Sequence, residues 1–295
     1  MRVFEFETYD VFTGERFAGN PLAVVMDAKG LSGEEMQTIT REFNLAETSF
    51  VLPPENPAHT ARVRIFTPGY EMPFAGHPTV GTAIAVARAR GLSGEIKFEL
   101  NAGLFPVEVE TNEDGGFATF TNPNLPKETS PTPSIEALEA ALSLPAGTIE
   151  RGAARPRCVG AGVDFIYCRS SMAGVRKAKV NSAAWDALGL DEIVGIHLYA
   201  EGGKAADATY HARMFAPGAG VVEDPATGSA AAALPGHVAL CGDLADGDHQ
   251  WIVEQGFEMG RPSRINATIS AAGGAIQSVR IGGSAISMQK GQIFV

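Results

Sequence analysis

Arg64-Ile-Phe-Thr-Pro-Gly69 followed by His77-Pro-Thr-Val-Gly-Thr-Ala83 returns as Arg213-Met-Phe-Ala-Pro-Gly218 followed by Asp224-Pro-Ala-Thr-Gly-Ser-Ala230. The copies lie about half of the 295 residues apart, and the loop within the second is shorter. One short motif recurs by chance; two linked motifs in the same order at half the chain length mark an internal repeat. The chain therefore reads as two related halves, each bringing one strand–turn–helix element to a site between them. In each copy a strand turns at Pro-Gly and enters a helix. Asp224 suits the N-cap, with Pro225 in the first turn, where a missing N–H costs nothing. His77-Pro78 repeats the layout with a poorer cap. The runs 83–89 and 230–234 are small and apolar enough for helices buried nearly all round, with Gly76, Gly81 and Gly228 admitting close neighbours. A helix start offers unpaired N–H groups and a partial positive charge. Two such starts facing each other would cradle a carboxylate or an enolate, with His77 and Asp224 as acid–base groups. The plainer reading is a pair of capped core helices.

Composition narrows the classes. Hydrophobic residues make up 45% and charged residues 19%, enough for two cores. A net charge of −11 argues against a broad grip on nucleic acid. The N-terminus, Met1 to Phe12, reads as a strand and not as a signal peptide. No stretch is apolar and long enough for a membrane helix. Cys158, Cys168 and Cys241 are too scattered for a zinc pattern or a disulfide framework, and read as three buried free thiols in a reducing cytoplasm.

Periodicity predicts a helix over 33–44, with Met36, Ile39, Thr40 and Phe43 on one face, and strands over 61–66, 95–100, 105–110 and 117–121. The segment 121–134 holds four prolines and is the best linker; a helix capped by Ser134 follows. Glu47 sits at a helix-to-strand junction, where a partly desolvated carboxyl is suited to carrying a proton. Read alone, it fits an ordinary cap or surface residue better. Asn20, in Phe17-Ala-Gly-Asn-Pro21, is either a turn residue or a ligand contact. His211, in the strand 209–213, reads as structural. Gly160-Ala-Gly162 and Gly218-Ala-Gly220 are not dinucleotide fingerprints, and there is no P-loop, HExxH or G-x-S-x-G.

Four ordered stretches resemble the PhzF-like family of isomerases. They run from Asp10 to Val25, Asn44 to Val51, Phe66 to Gly81 and Glu223 to Ala230, and Val279 to Val295 is similar to the family's closing strands. The resemblance implies an α/β (α+β) fold of the diaminopimelate epimerase type. Two pseudo-symmetric lobes would each wrap a curved mixed sheet around a central helix: residues 1–120 plus 280–295, and 121–279, with the site in the cleft. It implies a cofactor-independent isomerase acting on a small unsaturated or cyclic amino- or hydroxy-carboxylic acid, with no metal. By motif position Glu47 is the general acid/base and His77 and Asp224 assist. Asn20, Gly76, Gly228 and Ser229 contact substrate, and the helix starts hold its carboxylate. A cytoplasmic homodimer is also implied. A lyase using the same proton abstraction, or a non-catalytic binding protein on the same fold, is the alternative. Epimerases of this fold use one cysteine from each half; here those positions read as Ala75 and Pro225, so two-thiol chemistry is disfavoured. Glu47 has no convincing mate, Glu192 aligning only loosely. The scaffold thus reads as duplicated and the chemistry as one-sided.

Overall fold

The computed structural model describes residues 1–190 and 193–295, so Glu192 lies outside the described residues. The chain divides into two units, Met1–Thr121 with Gly282–Val295, and Asn122–Ile281. Each is a mixed α+β unit built on one long helix.

The first unit contains β1 (Val3–Val11), β2 (Asn20–Val25), α1 (Gly33–Phe43), β3 (Glu47–Leu52), β4 (Ala61–Phe66), β5 (Glu71–Met72), α2 (Gly76–Arg90), β6 (Gly94–Leu100), β7 (Gly103–Thr111) and β8 (Gly115–Thr121). Strands β2 and β3 are parallel across α1, β3 and β4 antiparallel, β4 and β6 parallel across α2, and β6 to β8 antiparallel. Helix α1 forms where a capping box closes its start: Ser32 accepts from the Glu35 N–H, and the Glu35 side chain reaches back to the Ser32 N–H. Its Met36 and Ile39 pack with Phe50 and Phe66. Helix α2 is buried from Gly76 to Ala87, as the small-residue run predicts. Gly81 makes that possible, because a Cβ there would meet Leu22 Cδ2 at 2.6 Å and Val11 Cγ2 at 2.7 Å.

The second unit contains β9 (Lys127–Glu128), α3 (Ile135–Ala141), β10 (Arg157–Gly160), β11 (Asp164–Arg169), α4 (Met172–Lys177), α5 (Ser182–Asp186), β12 (Gly195–Glu201), β13 (Tyr210–Ala216), β14 (Val221–Asp224), α6 (Gly228–Cys241), β15 (Gly247–Gln255), β16 (Ser263–Ala272) and β17 (Ala275–Phe294), whose residues from Gly282 belong to the first unit. The pairing plan repeats. Strands β11 and β12 are parallel, β12 and β13 antiparallel, β13 and β15 parallel across α6, and β15 and β16 antiparallel. The proline-rich segment 121–134 is not all linker, because Lys127 and Glu128 pair with Gly160 and Val159.

The repeated arginines show what the motif is for. Pro-Gly does not lead straight into a helix: a short strand returns first, β5 beside β4 and β14 beside β13. Arg64 grips Glu71 on that returning strand with Nε–Oε1 and Nη2–Oε2 both at 2.7 Å. Arg213 grips Glu223 with the same two bonds, again both at 2.7 Å. Each guanidinium also lies over the phenylalanine two residues on, 5.1 Å from the Phe66 ring centre and 4.8 Å from Phe215. The motif therefore encodes a hairpin clamped by a two-pronged ion pair. The Arg64 pair holds the Glu71 carboxyl below its ordinary range.

Burial of histidines gives the fold an acid sensitivity. Desolvation pushes His77 and His197 down to about 3 and His237 to about 4. The unfolded chain takes up protons near the ordinary histidine value that the folded chain refuses. Their contribution is therefore full above that value and declines as pH falls toward 4. His211, raised by Glu258 and Glu254 against the desolvation that lowers it, works in the opposite sense. Between pH 7 and pH 5 each lowered histidine removes about 1–2 kcal/mol. Among the described residues, neither ring nitrogen of His197 has a hydrogen-bond partner. His197→Leu is expected to flatten the loss of urea stability over this range by about one histidine's share, and an unchanged slope would refute the assignment.

Candidate active site

In the first unit three elements bring Asn20, Glu47 and His77 together. Gly19 turns with φ +64, where a Cβ would strike the Val11 carbonyl oxygen at 2.3 Å, and delivers Asn20 as the first residue of β2. Asn44 ends α1 in the left-handed region at φ 51, its N–H bonded to the Thr40 carbonyl, and sends the chain into β3 with Glu47 as first residue. Helix α2 starts at Gly76 after Ala75, so His77 lies inside the first turn and does not cap it.

Asn20 is fully buried and is not a simple turn residue: its Nδ2 lies 3.4 Å from His77 Nδ1. The amide donates, so Nδ1 accepts and the imidazole proton sits on Nε2. That atom lies 3.4 Å from Glu47 Oε2, with the His77 side chain 5% and the Glu47 side chain 17% exposed. Desolvation alone lowers His77 to about 3, so the ring is neutral at physiological pH. The contact is a close approach and neither an ion pair nor a hydrogen bond. A neutral imidazole at that distance places no positive charge beside Glu47, so the carboxyl is left able to take and give a proton.

In the second unit the structure corrects the reading of Asp224. It is the last residue of β14, and the cap of α6 is Thr227, with Gly228 and Ser229 opening the helix. Asp224 is therefore not the N-cap, Pro225 is not in the first turn, and the position matching Ala75 by cap is Thr227 and not Pro225. The reason is a five-residue offset: α2 begins one residue before the His77-Pro motif, whereas α6 begins at the glycine of Asp224-Pro-Ala-Thr-Gly228. Thr227 Oγ1 donates to Asp224 Oδ2 at 2.5 Å.

The caps divide the helices into two kinds. The starts of α1, α3, α4 and α5 are closed by the side chains of Ser32, Ser134, Ser171 and Asn181. At α2 and α6 the capping residues Ala75 and Thr227 make no such bond. First-turn N–H groups of Gly76, His77, Gly228 and Ser229 are therefore not covered by a capping side chain, which is the state an anion-holding helix start requires. Among the described residues, no group of three or more His, Cys, Asp or Glu could hold a metal.

Strand register also identifies the position in the second unit that corresponds to Glu47. Phe50 pairs with Arg64 and Leu198 with Arg213, so Glu47 corresponds to Gly195. No side chain fits at Gly195, where a Cβ would lie 2.1 Å from the Phe215 carbonyl oxygen.

The family model for phenazine biosynthesis-like proteins, PhzC-PhzF, matches residues 9–291. The chain belongs to that family. It is 35% identical over 288 residues to a trans-2,3-dihydro-3-hydroxyanthranilate isomerase of Pseudomonas aeruginosa, covering 97% of this chain and 98% of that one. An uncharacterised isomerase of Mesorhizobium japonicum is 42% identical over the full length of both. A solved PhzF-family protein of Bacillus anthracis superposes with a TM-score of 0.89 at 28% identity over all of both chains. A hydroxyproline epimerase of Agrobacterium vitis, 13% identical, shares the fold with a TM-score of 0.66, over 99% of this chain and 91% of that one. In this PhzF-family chain the thiols stand apart from the helix starts. Cys158 and Cys168 are buried in β10 and β11, and Cys241, half-buried and not fully buried as the sequence suggests, ends α6. Burial raises all three, away from the thiolate form. No helix among the described residues is long and apolar enough to cross a membrane.

Proposed function

We propose that the protein is an isomerase of a small unsaturated or cyclic amino- or hydroxy-carboxylic acid, with Glu47 as the proton carrier. The observation that carries this reading is a partly buried Glu47 whose Oε2 lies 3.4 Å from Nε2 of a buried, neutral His77. Glu47 takes a proton from carbon, and the electron pair enters the adjacent π-system. Glu47 then returns the proton at another carbon, so the double bond moves and the formula is unchanged. The uncapped starts of α2 and α6 support a role for Gly76, Gly228 and Ser229 in holding the substrate carboxylate. Asp224 orients the amino or hydroxyl group. The resemblance further implies a cytoplasmic homodimer that needs neither metal nor organic cofactor.

The test is incubation in deuterated water with trans-2,3-dihydro-3-hydroxyanthranilate and a panel of small unsaturated amino and hydroxy acids. Deuterium at carbon together with an isomeric product is expected. A product lighter by water or ammonia would make the protein a lyase, and no exchange with any member would overturn the proposal.

A further inference from the structure

Gln255, the last residue of β15, is fully buried and carries no motif, yet its amide meets the Asp224 loop three times. Its Nε2 donates to the Asp224 carbonyl at 2.7 Å and to Thr227 Oγ1 at 2.9 Å, and its Oε1 accepts the Thr227 N–H at 3.3 Å. Those bonds fix the direction of the next one. A Thr227 hydroxyl that accepts from Gln255 must give its own proton elsewhere, and the acceptor is Asp224 Oδ2 at 2.5 Å. The next residue is built to hold this geometry. Gly256 has φ +77, and a Cβ there would meet the Pro225 carbonyl at 2.6 Å and the Arg261 carbonyl at 2.3 Å, so the turn lies directly on the Pro225-Ala226 peptide. His211 pins the same turn by Nε2 to Glu258 Oε1 at 3.1 Å, and pins β15 by Nδ1 to Glu254 Oε2 at 3.1 Å.

We infer that Gln255 is a positioning residue acting through Thr227, which holds the Asp224 carboxylate as an acceptor in one orientation. The inference rests on the proposed role of Asp224 and adds the relay that sets it. The chain Gln255–Thr227–Asp224 also explains why Thr227 leaves α6 uncapped: its hydroxyl is committed to Asp224, and the helix start stays open.

The test uses the whole protein and the compound that the deuterium screen shows to exchange. Gln255→Leu and the near-isosteric Thr227→Val are each expected to lower kcat by roughly 10–100-fold with KM changed less than about threefold. Thr227→Ser, which keeps the hydroxyl, should return kcat to within about threefold of the parent, and the Gln255→Leu/Thr227→Val double variant should be no worse than about threefold below the weaker single, because both break one relay. Additive losses, or failure of serine to rescue, would overturn the inference. Asp224→Asn separates the two ideas. If it loses activity while the Gln255 and Thr227 variants do not, the relay is wrong and the role of Asp224 stands. If it keeps full activity, the role of Asp224 falls and the relay with it. A readout without turnover is amide exchange: Gln255→Leu should speed exchange at the Thr227 N–H by at least roughly tenfold, since its acceptor is gone. Unchanged exchange would also overturn the relay. Thr227→Val carries the kinetic test alone if Gln255→Leu does not fold.

Discussion

Glu47→Gln is expected to cut turnover by roughly 10²–10⁴-fold while leaving the melting temperature within a degree or two of the parent. The substitution replaces one carboxylate oxygen by an amide nitrogen. The change is near-isosteric, so the packing of residue 47 against His77, whose Nε2 lies 3.4 Å from Glu47 Oε2, is kept. What disappears is the ability to take a proton. Deuterium wash-in should fall with turnover, because both need the carbon–hydrogen bond broken. His77 would not rescue the reaction. It is neutral, with its proton on Nε2 and Nδ1 engaged by Asn20, and burial keeps its value near 3. Its own ionisation should therefore contribute no limb to the pH–rate profile between pH 5 and pH 8. A Glu47→Gln protein with full turnover would sink the proposal. Retained wash-in without net conversion would move the first proton abstraction to another group.

The sequence carried more of the fold than of the site. Repetition of Arg-x-Phe-x-Pro-Gly was legible because a clamped hairpin needs an arginine, an aromatic and a turn at fixed offsets. Its acidic partners were not, since Glu71 and Glu223 lie at different distances from their arginines. The small-residue helices were legible from composition. Their starting residues were not, because the same His/Asp-Pro signal lies inside α2 and ahead of α6. A cap-based reading therefore put Asp224 at a helix start when it ends a strand. The reading that a duplicated scaffold hosts one-sided chemistry rested on the unlike His77 and Asp224, the missing cysteine pair and a Glu47 whose loosely aligned counterpart, Glu192, did not convince. Strand register gives the residue that corresponds to Glu47: Gly195, which faces a carbonyl oxygen with no space for a side chain. Gln255 had no sequence signal, because a buried amide contacting backbone follows no spacing rule.

Arg213→Ala is expected to destabilise the protein by about 3–5 kcal/mol, and Arg64→Ala by about 1–2 kcal/mol, although both remove the same ion pair from the same motif. Surroundings make the difference. Arg213 is 8% exposed and Glu223 14%, whereas Arg64 and Glu71 are 24% and 25% exposed. Truncating Arg213 strands a nearly buried carboxylate and also frees the Val175 and Ala178 carbonyls, which Nη1 holds at 3.1 and 2.7 Å where α4 ends. Truncating Arg64 leaves Glu71 with Asn101 Nδ2 at 2.8 Å and better access to water. Urea unfolding measures both losses. Against a total stability of roughly 5–15 kcal/mol for an ordinary domain, the Arg213 change alone approaches the threshold for folding. The double replacement Arg213→Met/Glu223→Leu should recover part of it, because most of the cost of the single change is the unpaired charge and not the lost attraction. The same comparison bears on the site. Glu223 directly precedes Asp224, so releasing Glu223 frees β14 first, and amide exchange across 221–227 should rise before the rest of the unit opens. Equal losses for the two arginines would mean that burial does not set the strength of the clamp, and that β14 is held by its strand pairing alone.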